Sequence, residues 1–266
     1  WSRDSCIFAS FRSPLWICLL LLRRCQSLQI FHSVCCCSPS KIAMLPVILI
    51  GILALLCVQA CVEPGTKVLV EVFYESYCPD SKRFVLEQLN STYPELASII
   101  ELDLVPYGKA SRTLLPNGWS TFECQHGEQE CYGNLLQSCA IHFYPDPKRH
   151  LPFIACMFNS RSPNSAYLSC RRSANFDEDV LDQCNRGKQG NDLQVQYAKQ
   201  TESVNSRKRL DFVPWIRLNK NDRMYEAFTE FKKTVCKEYK KMLQTACDTD
   251  SSVQESIPSV CRGLVN

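Results

Sequence analysis

Several kinds of site are missing from this chain of 266 residues. It has no glycine-rich phosphate loop, no Ser-His-Asp set and no pair of neighbouring carboxylates suited to acid–base work. That sets aside phosphate-cradling, triad and two-carboxylate chemistry. An excess of charge is missing too, because residues 61–266 carry 25 Lys and Arg against 26 Asp and Glu, a formal −1. Such a balance gives no case for nucleic acid or an acidic membrane as partner. One local exception lies between Lys199 and Arg209, where Arg207, Lys208 and Arg209 form a short basic run, expected to be a solvated loop.

Cysteine, by contrast, is abundant, with 18 in all. Six of them (Cys6, Cys18, Cys25, Cys35, Cys36 and Cys37) fall between Trp1 and Ala43, a stretch with one acid, Asp4, and a composition unlike the rest. Residues 1–43 are expected to be translated upstream sequence or a non-structural leader, with initiation at Met44. Residues 44–60 read as a signal peptide: Leu45 to Val58 is apolar around Gly51, and Val58, Gln59 and Ala60 fit the small-residue cleavage rule. From Cys61 to Cys261 there are eleven more cysteines, too many for a reducing cytosol without a metal. The expected setting is therefore oxidising.

The centre of the chain is Cys78. Lys67 to Tyr74 puts Val68, Val70, Val72 and Tyr74 on one face and Leu69, Glu71 and Phe73 on the other, a largely buried strand. After Cys78 the pattern changes to Phe84, Val85, Leu89 and Tyr93 at helical steps. Cys78 thus falls where the first helical N–H groups lack partners and the macrodipole is positive, a setting that favours a nucleophilic thiolate. Pro79 suits the first helical position and Asp80 complements the dipole. A Cys-x-x-Cys would supply a second sulfur one turn on, but that place is Ser81. Its hydroxyl can hydrogen-bond a thiolate and cannot form an internal disulfide.

Further along, Ile99 to Val105 alternates as a second strand, with Glu101 and Asp103 opposite Ile100, Leu102 and Leu104. Strand, helix and strand predict a βαβ unit. Asn90-Ser91-Thr92 is the one sequon, which makes Asn90 the expected glycosylation site. From about 116 to 190, six cysteines (Cys124, Cys131, Cys139, Cys156, Cys170 and Cys184) among short apolar stretches predict an insertion held by disulfides, whose pairing the spacing does not give. His142 and His150, among prolines and basic residues, read as surface histidines. Leu210 to Asn219 reads as a strand on both sides of Pro214, a proline that marks an edge or a special backbone position. Met224, Phe228, Phe231, Val235, Tyr239 and Leu243 predict one long amphipathic helix over 223–243.

Cys124-Gln125-His126-Gly127-Glu128-Gln129-Glu130-Cys131, followed by Asn134 and Cys139, resembles the signature of the gamma-interferon-inducible lysosomal thiol reductase (GILT) family. Tyr74 to Pro79 is similar to that family's active-site approach, and Phe212 to Ile216 to its proline strand, so the resemblance spans about residues 66–261. It implies an α/β, thioredoxin-like fold with a disulfide-rich helical insertion, forming one domain over 61–266. It also implies a secreted or lysosomal enzyme, free of the membrane after signal cleavage, that reduces disulfides in protein substrates. Cys78 would be the nucleophile, with Pro79, Asp80 and Ser81 beside it. A cis Pro214 would lay the Val213 backbone across from Cys78 to receive an extended substrate. Cys124, Gln125, His126, Gly127, Glu130, Cys131, Asn134 and Cys139 would be structural, His126 and Glu130 fixing the insertion by hydrogen bonds.

Two departures from that pattern stand out. Ser81 replaces the second cysteine, and Lys220 stands where a glycine commonly follows the asparagine after the proline strand. With one sulfur and no bound cofactor, the expected reductant is an external thiol, glutathione or cysteine. The competing expectation is a catalytically impaired secreted protein that keeps the groove for binding or immune modulation. No metal is expected at Cys124, His126 and Cys131, because zinc sites favour closer Cys pairs and an oxidising setting consumes thiols.

Overall fold

The computed structural model describes residues 67–204, 209–246 and 257–264. The expected leader (1–43), signal segment (44–60), Cys61, Cys247, Arg207 and Lys208 lie outside the described residues.

Both faces of β1 (Val68–Tyr74) are apolar, and both are covered. Val68, Val70, Val72 and Tyr74 enter one core cluster while Phe73 enters another. β1 runs parallel to β2 (Ile100–Pro106), in register from Val68 opposite Ile100 to Tyr74 opposite Pro106. The helical crossover between them is α1 (Pro79–Arg83), a π-helical stretch (Phe84–Leu89) and α2 (Asn90–Leu96). On its other side β1 pairs antiparallel with β5 (Trp215–Leu218), Val72 facing Ile216, and β6 (Asn221–Asp222) closes the order β2-β1-β5-β6. A βαβ unit, then an antiparallel hairpin and a final helix, α8 (Met224–Ala246), make the expected thioredoxin-like arrangement.

Between β2 and β5 stand a hairpin, β3 (Ser111–Leu114) with β4 (Ser120–Glu123), and five helices: α3 (Glu128–Phe143), α4 (Pro147–Phe158), α5 (Pro163–Ser173), α6 (Glu178–Arg186) and α7 (Lys188–Glu202). The helices reach beyond the expected 116–190 window, so Lys199 belongs to α7 and not to a loop. Tyr197 and Ala198 of α7 cover the Phe73, Val105 and Trp215 side of the sheet, which is why the helix is needed there. Cys139–Cys184 ties α3 to α6, Cys156–Cys170 ties α4 to α5, and Cys236–Cys261 ties α8 to the tail.

Other expectations change at points where the backbone has competing partners. β5 begins only after Pro214, whose missing N–H cannot join a ladder, so Leu210 to Val213 is not strand. The long C-terminal helix breaks at Glu230 (φ −131°, ψ 49°), and Gln88 of the π-helical stretch accepts the next N–H, that of Phe231, at 3.2 Å. Lys220 takes the left-handed conformation (φ 65°) that suits glycine, and its Nζ lies 2.7 Å from Oε1 of the buried Glu71. Its charge neutralises a carboxylate that β1 carries into the core.

His150 is the clearest correction. It is 2 % exposed, not a surface residue, with Nδ1 2.8 Å from the Tyr144 carbonyl and Nε2 buried without a partner. Burial pushes its pKa below the usual imidazole value, against the opposing Tyr144 hydrogen bond. A depressed folded pKa means the unfolded chain takes up the proton first. Stability is therefore complete above the unfolded value of about 6.5 and falls as acid approaches the lower folded value. His150→Asn, which keeps a donor near Tyr144 and does not titrate, is expected to flatten the decline of the urea midpoint between neutral and acidic pH. An unchanged slope would assign that decline to other groups.

Candidate active site

Cys78 is the N-cap residue of α1, with extended backbone (φ −70°, ψ 125°), and its carbonyl accepts from the Lys82 N–H at 3.0 Å. Pro79 takes the first helical position, where its missing N–H removes no helical bond. Across the site the Val213–Pro214 bond is cis, and the Cys78 thiol donates to the Val213 carbonyl at 3.7 Å. The sulfur's residue is 7 % exposed. Pro79 and Asp80 are exposed, Asp80 pairing with Arg83 at 3.2 Å.

Ser81 does something other than expected. It is fully buried, and its Oγ accepts from the Glu75 N–H at 3.4 Å, a hydrogen bond to the turn and not to the Cys78 sulfur. Among the described residues Cys78 is the free cysteine, since Cys124, Cys131, Cys139, Cys156, Cys170, Cys184, Cys236 and Cys261 are all paired. Among the described residues, one free thiol stands beside four disulfides.

The signature residues brace this turn from below. Asn134 Oδ1 accepts from the Ser76 N–H at 2.9 Å, and Ser76 Oγ donates to the Glu130 carbonyl at 3.0 Å. A Cβ on Gly133 would lie 2.5 Å from Ser76 Oγ, so α3 can approach the turn only with glycine there. Gly127 (φ 80°) caps α3, and the Cys124–Cys131 disulfide closes the loop holding His126. Glu130, fully buried, accepts from the His126 N–H at 3.0 Å and contacts its Nδ1 at 2.5 Å. Gln125 is exposed, Cys139 is buried in its disulfide, and Asn90, half-buried at the start of α2, stands apart from these contacts.

Sequence reasoning missed Glu75. It is fully buried, Oε1 accepts from the Lys109 N–H at 2.7 Å, and Oε2 lies 3.6 Å from His126 Nδ1. Burial raises its pKa, the Lys109 hydrogen bond opposes that, and Glu130 reinforces it. Its signal was a carboxylate at the end of an apolar strand, three residues before Cys78. Beside Cys78, a cleft of about 260 Å³ is lined by Phe212, Val213, Pro214, Met224, Tyr225 and Phe228, with Asp80 at its edge. That lining suits an apolar side chain next to whatever meets the sulfur.

The sequence profile of the gamma interferon inducible lysosomal thiol reductase family matches residues 69–174, from β1 through α5. The "Gamma-interferon-responsive lysosomal thiol protein" of Arabidopsis thaliana is 31 % identical over 195 residues, 71 % of this chain and 79 % of that one. The "Gamma-interferon-inducible lysosomal thiol reductase" of Carassius auratus is 34 % identical over 189 residues, 69 % of this chain and 73 % of that one. The mouse protein of that name is 27 % identical over 200 residues, 74 % of this chain and 77 % of its own. Among the described residues no helix is long and apolar enough to cross a membrane. With the Cys78 turn, the proline opposite it and the signature that braces the turn beside these relatives, the chain belongs to the gamma interferon inducible lysosomal thiol reductase family.

Proposed function

We propose that the protein is a thiol reductase that attacks disulfides of protein substrates through Cys78 alone. The observation that carries this reading is the free Cys78 sulfur facing the Val213 carbonyl while the eight other described cysteines are paired. The Cys78 thiolate attacks one sulfur of a substrate disulfide, forming a mixed disulfide and releasing the other sulfur as a thiolate that takes up a proton. An external thiol, glutathione or cysteine, then displaces the substrate's remaining sulfur and takes its place on Cys78. A second external thiol frees Cys78 and leaves as the oxidised external disulfide. Two external thiols are oxidised for each substrate disulfide reduced, and no bound cofactor is needed. The Val213 backbone would hold the substrate as an added strand, with the apolar cleft receiving a neighbouring side chain. The word lysosomal in the names of the relatives supports a secretory route that ends in the lysosome, and the Asn90 sequon supports a glycan there.

The low exposure of Cys78 and the hydroxyl at Ser81 favour a second reading, a binding protein that has kept a reductase's shape. Reduction of a denatured disulfide-containing protein at neutral and acidic pH, with glutathione or cysteine supplied, separates the two. Turnover is expected, and Cys78→Ala is expected to lower it to the uncatalysed rate and to abolish the mixed disulfide seen by mass spectrometry. A rate equal to that of Cys78→Ala, with the Cys78 thiol titrating as free, selects the binding protein.

A further inference from the structure

We propose that Glu75, His126 and Glu130 form a binding site for a divalent transition-metal ion of the zinc type, beneath the turn that carries Cys78. Their candidate ligand atoms all lie within 4.8 Å of one another: one imidazole nitrogen and two carboxylate oxygens. His126 Nδ1 is 2.5 Å from Glu130 Oε2 and 3.6 Å from Glu75 Oε2. Zinc bonds to nitrogen and oxygen of about 2.0–2.2 Å put tetrahedral ligand atoms about 3.3 Å apart, so modest side-chain rotation closes the set. Glu75 Oε2 makes no hydrogen bond, although its side chain is fully buried and aimed at the imidazole. The other oxygen of each carboxylate is already held, Glu75 Oε1 by the Lys109 N–H and Glu130 Oε1 by the His126 N–H, the outer support that metal ligands need. One nitrogen and two oxygens fit zinc better than calcium, which takes six to eight oxygens. His126, 32 % exposed, gives the ion a way in from solvent. These ligands differ from the Cys124, His126 and Cys131 set, whose thiols are joined in a disulfide.

The test is a zinc titration of the full chain at neutral pH, followed by calorimetry and by competition with a chromophoric chelator, after all free thiols have been alkylated. One ion per chain is expected, with Glu75→Gln and His126→Asn each weakening binding at least tenfold. Cobalt in place of zinc is expected to give visible absorption that both variants lose. Because Glu75 packs under the active-site turn, circular dichroism and the urea midpoint of each variant are measured alongside. A folded variant that binds zinc as tightly as the parent overturns the proposal, as does a parent that binds no stoichiometric ion. Cys78 is blocked throughout, so neither outcome bears on whether the protein is a reductase.

Discussion

Ser81→Cys is expected to raise reductase turnover tenfold or more at fixed external thiol and to shorten the life of the mixed disulfide on Cys78. The replacement places a second sulfur three residues on, over the first turn of a helix, where i and i+3 side chains are neighbours roughly 5–6 Å apart at Cβ. Attack by that sulfur is intramolecular, and a well-oriented internal group competes against external reagents with an effective concentration far above millimolar. Release of the substrate would then no longer await collision with glutathione. The buried hydroxyl of Ser81 also holds the Glu75 N–H, so the variant gives up a weak hydrogen bond, a loss on the order of 1 kcal/mol in stability. Steady-state rates and acid-quenched mass spectrometry read both effects, and oxidation of the variant should remove two hydrogens as an internal disulfide forms. If the rate and the mixed-disulfide lifetime both stay at parent values, release of the substrate does not limit the reaction. The one-sulfur account of Ser81 would then fail.

The structure gives a physical reason why a hydroxyl is tolerated there. Position 81 is buried and touches the turn that leads into Cys78, so a small group of similar shape preserves Glu75, Ser76 and the approach to Cys78. The fold therefore does not require a sulfur at position 81. On the proposed one-sulfur mechanism, what differs is the route by which the adduct leaves.

How far the sequence could be read depended on whether a residue's role was local. β1 and its parallel partner followed from alternation, and Cys78 from a change of period at one junction, because both signals lie within a few residues. Glu75 was invisible because its partners are Lys109, His126 and Glu130, which the insertion and the β2 turn bring from 34 to 55 positions away. His150 was misread for the same reason, its prolines and charged neighbours suggesting surface while α4 turns it inward against the Tyr144 carbonyl. At the break by Glu230 the Phe231 N–H bonds to Gln88, 143 positions earlier, and no periodicity in α8 could announce it. His126 and Glu130, four positions apart, meet directly, so their contact lies within reach of a local reading.

The largest loss of stability is expected when Cys139 and Cys184 are both replaced by alanine. Their disulfide spans 45 positions, and closing a loop of that length in the unfolded chain is worth about 4 kcal/mol on the chain-entropy account. The same account gives about 2.4 kcal/mol for the seven-position Cys124–Cys131 loop. Urea unfolding of the two double variants should therefore rank them in that order. Both sulfurs of the first pair are buried, 1 % and 0 % exposed, in the core cluster that also holds Leu136 and Leu181, so lost packing adds to the closure effect. The functional consequence should invert the ranking. Cys124→Ala with Cys131→Ala loosens the His126 loop that meets Glu75 three residues before the nucleophile, whereas Cys139→Ala with Cys184→Ala acts farther along α3. At a temperature where both variants are folded, the less destabilised one is expected to lose more reductase activity. If activity instead falls in proportion to stability, the Cys124–Cys131 loop does no more for the site than keep the insertion folded.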